Sequence, residues 1–267
     1  MTFASLALAS AVLFSSDIAA DDNPTSRLLF HGDFEDDSLK RYGASEKEKA
    51  AARTRFVTSP VRAGHGALEV RLDRDAGPDP GNHRTDFWIR GMSNRFPLDE
   101  DYWFGFSTFF PESWKPDTQP ELFAQWIGEG MSSPPLAIYL YGEDYRIKKR
   151  WANGKNDYDN LWSGAVSPDL GQWTDWVFCI RWAHGEDGAI DVWKNGEQVV
   201  SDSGPNCSDV RFAPYFKFGI YKWPWKRPPE NTPSTVNRRV LYFDEIRIAA
   251  GPRGRQLVRA KGADKER

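Results

Sequence analysis

Hydrophobic residues recur with a period of two along most of this chain, as they do in strands that bury one face. Gly, Pro, Asn and Asp separate the alternating segments. These segments are ALEVRLDR, YWFGFSTFF, PLAIYLYG, WTDWVFCIRWA, AIDVWKNGEQVV, PYFKFGIYKW and RRVLYFDEIRI. The best helical stretch is ASEKEKAAART, near residues 44–54, and its charge on most sides predicts a surface excursion.

Strands at this spacing, without helices between them, predict an all-β fold. We expect a β-sandwich of jelly-roll type, in which two antiparallel sheets pack face to face and one sheet presents a concave face for binding. Within WKNGEQ, Asn195 and Gly196 predict a hairpin with a type I′ turn, because both residues tolerate a positive φ.

Length and composition refine this picture. The 267 residues fit one domain over about residues 28–250, and the polar, basic end at 252–267 predicts a disordered tail. Aromatic residues make up 14% of the chain, with 12 tryptophans, which suggests rings that line a surface for sugars. The formal charge of −3 argues against nucleic acid as a partner, because phosphate binding needs a basic face.

The first 20 residues form an apolar run that ends in small residues, as an export signal does. It is too short to span a bilayer, and no later stretch approaches that length, so we expect no membrane partner. A secreted or periplasmic protein is the resulting expectation, with a buried or frayed N-terminal segment as the alternative. In such a compartment Cys179 and Cys207 are compatible with a disulfide or with two buried thiols.

Polar groups interrupt three of the apolar strands, where a packed core would exclude them. We therefore expect these strands to carry function on the concave face. The residues are His83 and Arg84 in GNHRTDFW, Gln125 and Trp126 in ELFAQWIGEG, and Tyr221 and Lys222 in FKFGIYKWPWK. Two further segments offer cations and rings for binding, or else a solvated strand face: Lys148, Arg150 and Trp151 in RIKKRW, and Trp223 in WPWKR.

Taken in order, several motifs resemble the polysaccharide lyases of the jelly-roll superfamily that contains glucuronan lyase and heparin lyase I. They are SPVRAGHGALEVRL, NHRTDFW, YWFGFSTFFPESW, LFAQW, GQWTDWVFCIRW, GAIDVWKNGEQV, FKFGIYK and YFDEIRI. The chain departs from the family where Asp86 replaces the glutamate of an Arg-x-Glu motif. Ile127 stands where heparin lyases favour a histidine, so the resemblance is closer to glucuronan lyase.

This resemblance implies β-elimination at a 4-O-linked uronate, without a catalytic cofactor. His83, Arg84 and Gln125 would neutralise the sugar carboxylate. Tyr221 would take the C5 proton and return a proton to O4, with His83 as the rival base. A phenol has a pKa of about 10 in water. We expect a nearby cation, Lys222, Arg84 or Arg150, to favour the phenolate form of Tyr221.

The resemblance has consequences for metals and partners too. Asp33, Glu35 and Asp244 are candidates for a structural calcium at one edge of the sandwich, with a solvated acidic surface as the alternative. We expect an acidic polysaccharide as substrate and a monomeric protein.

Two other functions remain open at this point. A glycoside hydrolase on the same fold needs two carboxylates about 5 to 9 Å apart, commonly in a strand that reads Glu-x-Asp-x-x-Glu, and the sequence has no such strand. A non-catalytic carbohydrate-binding module needs the aromatic residues but has no use for His83, Gln125 and Tyr221 at one point.

Overall fold

A computed structural model describes residues 25–74, 83–93, 95–128, 131, 133–150, 158–207, 211–226 and 231–260. The described chain consists almost entirely of strands. They are β1 (Arg27–Gly32), β2 (Tyr42–Ala44), β3 (Thr54–Val57), β4 (Ala67–Asp73), β5 (Arg84–Ile89), β6 (Asp101–Phe109), β7 (Asp117–Ile127), β8 (Leu136–Gly142), β9 (Asp144–Lys149), β10 (Asp159–Ala165), β11 (Trp173–Arg181), β12 (Ala189–Lys194), β13 (Glu197–Ser203), β14 (Tyr215–Tyr221) and β15 (Arg238–Ala250). The helices are α1 (Lys47–Ala52), α2 (Arg255–Val258) and the single 3₁₀ turns Ser167–Asp169 and Trp223–Trp225.

These strands form two antiparallel sheets that pack as a sandwich, which confirms the predicted fold class. One sheet has the order β13-β12-β11-β6-β15-β4-β3, with β1 also paired to β15. The other has the order β10-β9-β8-β7-β14-β5-β2. Strand β14 therefore lies between β7 and β5, near the middle of the second sheet.

The period-two pattern decides which side chains reach the core. In β14, Phe216, Phe218 and Ile220 are buried between the sheets, and full burial of each stabilises the fold by about 1.5–3 kcal/mol. Lys217 and Tyr221 alternate with them and face away from the core. The same alternation in β5 and β7 brings three functional strands together on one outer face.

The predicted hairpin and the predicted helix are both confirmed, although Ala50 of the helix is buried in the core. Asn195 and Gly196 have φ values of 51° and 86°, and they connect β12 to β13 with Lys194 opposite Glu197. Helix α1 occupies six residues of the segment predicted to be helical.

The C-terminal prediction is wrong over residues 252–260, because this part is folded. Helix α2 places Val258 against Trp103 and Val177 on the outer face of the first sheet, where Val258 is buried. The sequence does contain a signal for this packing, because Val258 is an apolar residue within a basic segment. The predicted leader at 1–20 and the remaining tail at 261–267 lie outside the described residues.

Both cysteines are free thiols in the structure. Cys179 is half-buried on β11 and Cys207 is buried. Burial raises the pKa of both thiols, to about 12 for Cys207. Among the described residues, no helix has the length and apolar character that crossing a membrane requires.

Candidate active site

The outer face of the second sheet carries two rows of side chains that run across its strands. In the first row Lys217 of β14 lies opposite Trp88 of β5 on one side and Gln125 of β7 on the other. In the second row Tyr221 of β14 lies opposite Arg84 of β5. Directly opposite residues of antiparallel strands share a face, so both rows point into the same open cleft.

Tyr221 is at the centre of the second row and is partly exposed. The guanidinium carbon of Arg84 lies 3.9 Å from the centre of the Tyr221 ring. The rings of His83 and Trp223 lie 6.0 Å and 5.8 Å from it. The structure therefore brings three of the predicted catalytic residues, His83, Arg84 and Tyr221, into one group.

Gln125 belongs to the same face, in the neighbouring row. It is only 2% exposed and lies between Lys217 on β14 and Ala137 on β8. Gln125 lies opposite Lys217, and Lys217 precedes Tyr221 by four residues in β14. Arg84, Tyr221 and Gln125 are thus presented by three adjacent strands, β5, β14 and β7, and His83 directly precedes β5.

Lys217 is a site residue that the sequence analysis missed. Its Nζ atom lies 2.7 Å from a carboxylate oxygen of Asp86 and 2.8 Å from Oγ of Ser45. Burial lowers the pKa of Lys217, while the charge of Asp86 acts in the opposite direction. The signal was available, because Lys217 is four residues before Tyr221 and so shares its face.

Asp86 connects Lys217 to the group around Tyr221. It is 2% exposed, and its carboxylate lies 3.7 Å from a guanidinium nitrogen of Arg84. A single buried carboxylate therefore holds two cations of the cleft, which gives a function to the residue that departs from the Arg-x-Glu motif.

Beside Tyr221 the cleft deepens into a cavity of about 430 Å³. Five of its ten lining residues are aromatic, and two of these rings each have a cation nearby. Nζ of Lys148 lies 5.4 Å from the ring centre of Tyr139, and the guanidinium of Arg150 lies 5.7 Å from that of Tyr158. The cavity is lined by Tyr139, Lys148, Tyr158, Tyr221 and Trp223, among others.

Tyr139 and Tyr158 are also residues that the sequence analysis missed. Burial raises the pKa of Tyr139, and the neighbouring phenol of Tyr158 raises it further, so Tyr139 is a neutral hydroxyl at physiological pH. Burial likewise lowers the pKa of Lys148, and the nearby charge of Arg146 adds to this effect. Alternation in PLAIYLYG puts Tyr139 and Tyr141 on one face, but it does not say which face is the outer one.

Two residues that were predicted to bind substrate, Trp126 and Lys222, point away from the cleft, so this prediction is wrong. Trp126 is fully buried between the sheets, where its ring centre lies 4.5 Å from that of Phe178. Lys222 is also fully buried, and its Nζ atom lies 2.7 Å from Asp117. The physical reason is the strand period, since neighbours such as Gln125 and Trp126 point to opposite faces.

Of the remaining predicted binding residues, Lys148, Arg150 and Trp223 lie at the cavity, as described above. Trp151 lies outside the described residues.

The residues proposed as calcium ligands do not fit a metal ion. The carboxylate of Asp244 accepts hydrogen bonds from the backbone N–H groups of Arg62, Ala63 and Glu245, and burial raises its pKa to about 7. Glu35 likewise accepts bonds from the backbone at residues 65 and 66. Across the described ranges, no group of three or more His, Cys, Asp or Glu side chains could hold a metal ion.

This arrangement is suited to proton transfer on a bound anion. Arg84 offers several N–H donors to a carboxylate, and the Tyr221 side chain can donate one proton as a phenol or accept one as a phenolate. The aromatic walls supply flat apolar surfaces on which a sugar ring can lie.

Comparisons with known proteins found a matching family model and similar solved structures. A family model described as polysaccharide lyase matches residues 32–247. The chain is similar to the crystal structure of endo-β-1,4-glucuronan lyase from the fungus Trichoderma reesei, with a TM-score of 0.61, 18% identity and coverage of 88% of this chain and 94% of that chain. It is also similar to the structure of alginate lyase Aly36B, with a TM-score of 0.51, 13% identity and coverage of 85% of this chain and 97% of that chain.

A double mutant of Aly36B in complex with alginate tetrasaccharide gives the same TM-score of 0.51, with 13% identity and coverage of 85% and 97% of the two chains. No curated protein sequence matches the chain.

Proposed function

The chain belongs to the polysaccharide lyase family, and from this premise we propose that it cleaves a 4-O-linked polyuronate, with polyglucuronate as the preferred polymer, by β-elimination. The observation that carries the proposal is the group formed by Tyr221, Arg84 and His83 at the centre of an open cleft. Such a group has the proton-transferring hydroxyl and the carboxylate-binding donors that this reaction needs.

An acidic polymer is supported by the charges that face the cleft. Arg84, Lys148, Arg150 and Lys217 all lie on the outer face of the second sheet, although the chain as a whole carries a net charge of −3. Two of the similar structures are a glucuronan lyase and an alginate lyase with a bound alginate tetrasaccharide. Together with the predicted leader, an extracellular polymer favours a secreted or periplasmic location.

In the proposed reaction Arg84, His83 and Gln125 bind the carboxylate of the uronate whose C4–O4 bond is cleaved. Their donors stabilise the negative charge that develops when the C5–H bond breaks. Tyr221 acts in its phenolate form: the proton passes to the phenolate oxygen, the electron pair forms the C4–C5 double bond, and the C4–O4 bond breaks. Tyr221 then returns a proton to the departing O4 oxygen.

One hydroxyl can perform both proton transfers on a glucuronate chain, because the C5 hydrogen and the O4 oxygen leave from the same side of the ring. Tyr221 is favoured as this group because it lines the cavity and is partly exposed to it. His83 remains the alternative base, since its ring also borders the Tyr221 side chain.

The direct test is incubation with glucuronan, alginate or heparin while ultraviolet absorbance of the unsaturated uronate product is recorded. Rising absorbance with glucuronan supports the proposal in full, and rising absorbance with alginate alone changes the substrate. New reducing ends without absorbance indicate a hydrolase. Retention on a polymer without either signal indicates a binding module.

Replacement of Arg84 by alanine is expected to weaken both polymer binding and turnover. Loss of one donor to the developing charge lowers kcat by about 10²–10³-fold. Arg84→Lys keeps the charge but loses the planar fork, so its activity should fall between wild type and Arg84→Ala. Steady-state kinetics on the cleaved polymer measure both effects, and equal activity of the wild type on a neutral polymer would contradict the carboxylate-binding role.

A further inference from the structure

Trp88 lies in the cleft but away from the group around Tyr221. It is partly exposed on β5, opposite Lys217 of β14, and it faces the same side as Arg84. Four residues separate Trp88 from Arg84, which corresponds to about 13 Å along a strand. The Trp88 ring therefore lies one row away from the pair formed by Tyr221 and Arg84.

The indole of Trp88 rests on the backbone of Gly43. Gly43 of β2 is directly opposite Trp88, and a Cβ atom added at Gly43 would lie only 2.3 Å from Cε2 of the indole and 2.5 Å from Cζ2. Any residue other than glycine would therefore displace the ring. The edge strand thus supports one side of the indole and leaves the ring partly open to solvent.

A cation stands beside this ring. Nζ of Lys217 lies 5.4 Å from the ring centre and is fixed by Asp86. A positive charge that is held in place therefore lies next to the indole.

We propose that Trp88 is the stacking platform of a second uronate-binding subsite, on the β2 side of the cleft and one row away from the pair formed by Tyr221 and Arg84. The C–H groups of a pyranose ring would lie on the indole, and its carboxylate would meet Lys217. This inference rests on the proposed function, because it takes the same acidic polymer as ligand. It extends the cleft from the cavity beside Tyr221 across β14 and β5 to the sheet edge.

The test is affinity electrophoresis in gels that contain glucuronan, alginate or heparin, beside gels with neutral hydroxyethyl cellulose. Trp88→Ala is expected to bind the acidic polymer about three- to tenfold more weakly than wild type, and Trp88→Phe should lose less. Gly43→Ala should reproduce the loss while it keeps the tryptophan, because the added methyl group displaces the indole. Trp173→Ala is the matched control, since Trp173 is a partly exposed tryptophan on the outer face of the other sheet.

Circular dichroism and thermal unfolding show whether each variant is folded. If Trp88→Ala and Gly43→Ala are retarded as strongly as wild type, or if wild type is retarded by none of the acidic polymers, the subsite is overturned. This readout needs no cleavage. Binding that depends on Trp88 without any ultraviolet signal would refute the lyase reaction and leave the subsite standing.

Discussion

Replacing Tyr221 with phenylalanine is expected to lower kcat by about 10²–10⁴-fold, the usual contribution of a positioned general acid or base. The variant loses only the phenolic oxygen, while the ring that stacks beneath Arg84 is kept. Polymer binding should therefore remain close to that of wild type. Initial rates from ultraviolet absorbance, together with affinity electrophoresis, separate the two effects.

The matched control for this prediction is Tyr242→Phe. Tyr242 lies on β15 in the opposite sheet, where its hydroxyl lies 3.2 Å from Glu69. The same chemical change at that position should leave the reaction rate unchanged. If Tyr221→Phe instead retains wild-type activity, Tyr221 is not the base, and His83→Ala becomes the decisive variant.

Much of this site could be predicted from the chain because a strand has a fixed period. Polar residues inside apolar strands, such as Arg84 and Gln125, mark a face that is not packed in the core. The order of the motifs then identified three strands that the sheet places side by side, β5, β14 and β7. Both the fold and the group around Tyr221 follow from these two kinds of information.

The same reasoning went wrong where it assigned two neighbouring residues to one face. Gln125 and Trp126 are adjacent in β7, so only one of them can face the cleft, and the core takes the tryptophan. The assignment of Lys222 beside Tyr221 is wrong for the same reason. An alternating pattern specifies which residues share a face of the sheet. To decide whether that face is the core or the cleft, the direction of at least one side chain must be known.

Other parts of the site depend on contacts between distant segments. Tyr158 and Tyr139 lie 19 positions apart in the sequence, and their ring centres lie 5.9 Å apart. The support of Trp88 by Gly43 is likewise a contact across strands that are separated by 45 positions in the sequence. Neither contact leaves a local pattern in the sequence.

Lys222 has a structural function that connects this buried layer to the cleft. Its backbone N–H donates to the carbonyl of His83, and its Nζ atom donates to the carbonyl of Gln119. Its charge is shared with Asp117 at 2.7 Å and Glu121 at 3.4 Å. Lys222, which follows Tyr221, thus connects the start of β5 to the start of β7.

The charges in this buried group balance. Asp117 and Glu121 face the two cations Lys222 and Arg239, and all four side chains are at most 3% exposed. Burial alone would raise the pKa of Asp117, but hydrogen bonds from Lys222, Ser234 and Thr235 outweigh burial and hold it well below its usual range. Removal of one cation leaves a buried negative charge without compensation.

Replacement of Lys222 by methionine is accordingly expected to destabilise the protein by about 3–5 kcal/mol at neutral pH, as for other broken buried ion pairs. Urea unfolding at pH 7 measures the loss. The control is Arg181→Met, because Arg181 pairs with Asp101 at 2.7 Å but its side chain is 42% exposed. An exposed pair of this kind should contribute no more than about 1 kcal/mol, so equal losses in the two variants would contradict the proposed importance of the buried group.

The pH dependence of the same pair has a definite sign. The pKa of Asp117 is lower in the folded protein than in the unfolded chain, so its contribution to stability is fully present above the unfolded value of about 3.9 and is lost as the pH falls further. The difference in unfolding free energy between wild type and Lys222→Met should therefore narrow below about pH 4. If the difference stays constant from pH 7 to pH 3, the ion pair with Asp117 does not carry the stabilisation, because that pair is lost when Asp117 is protonated. Lys222 would then stabilise the fold through packing and through its hydrogen bonds to the backbone.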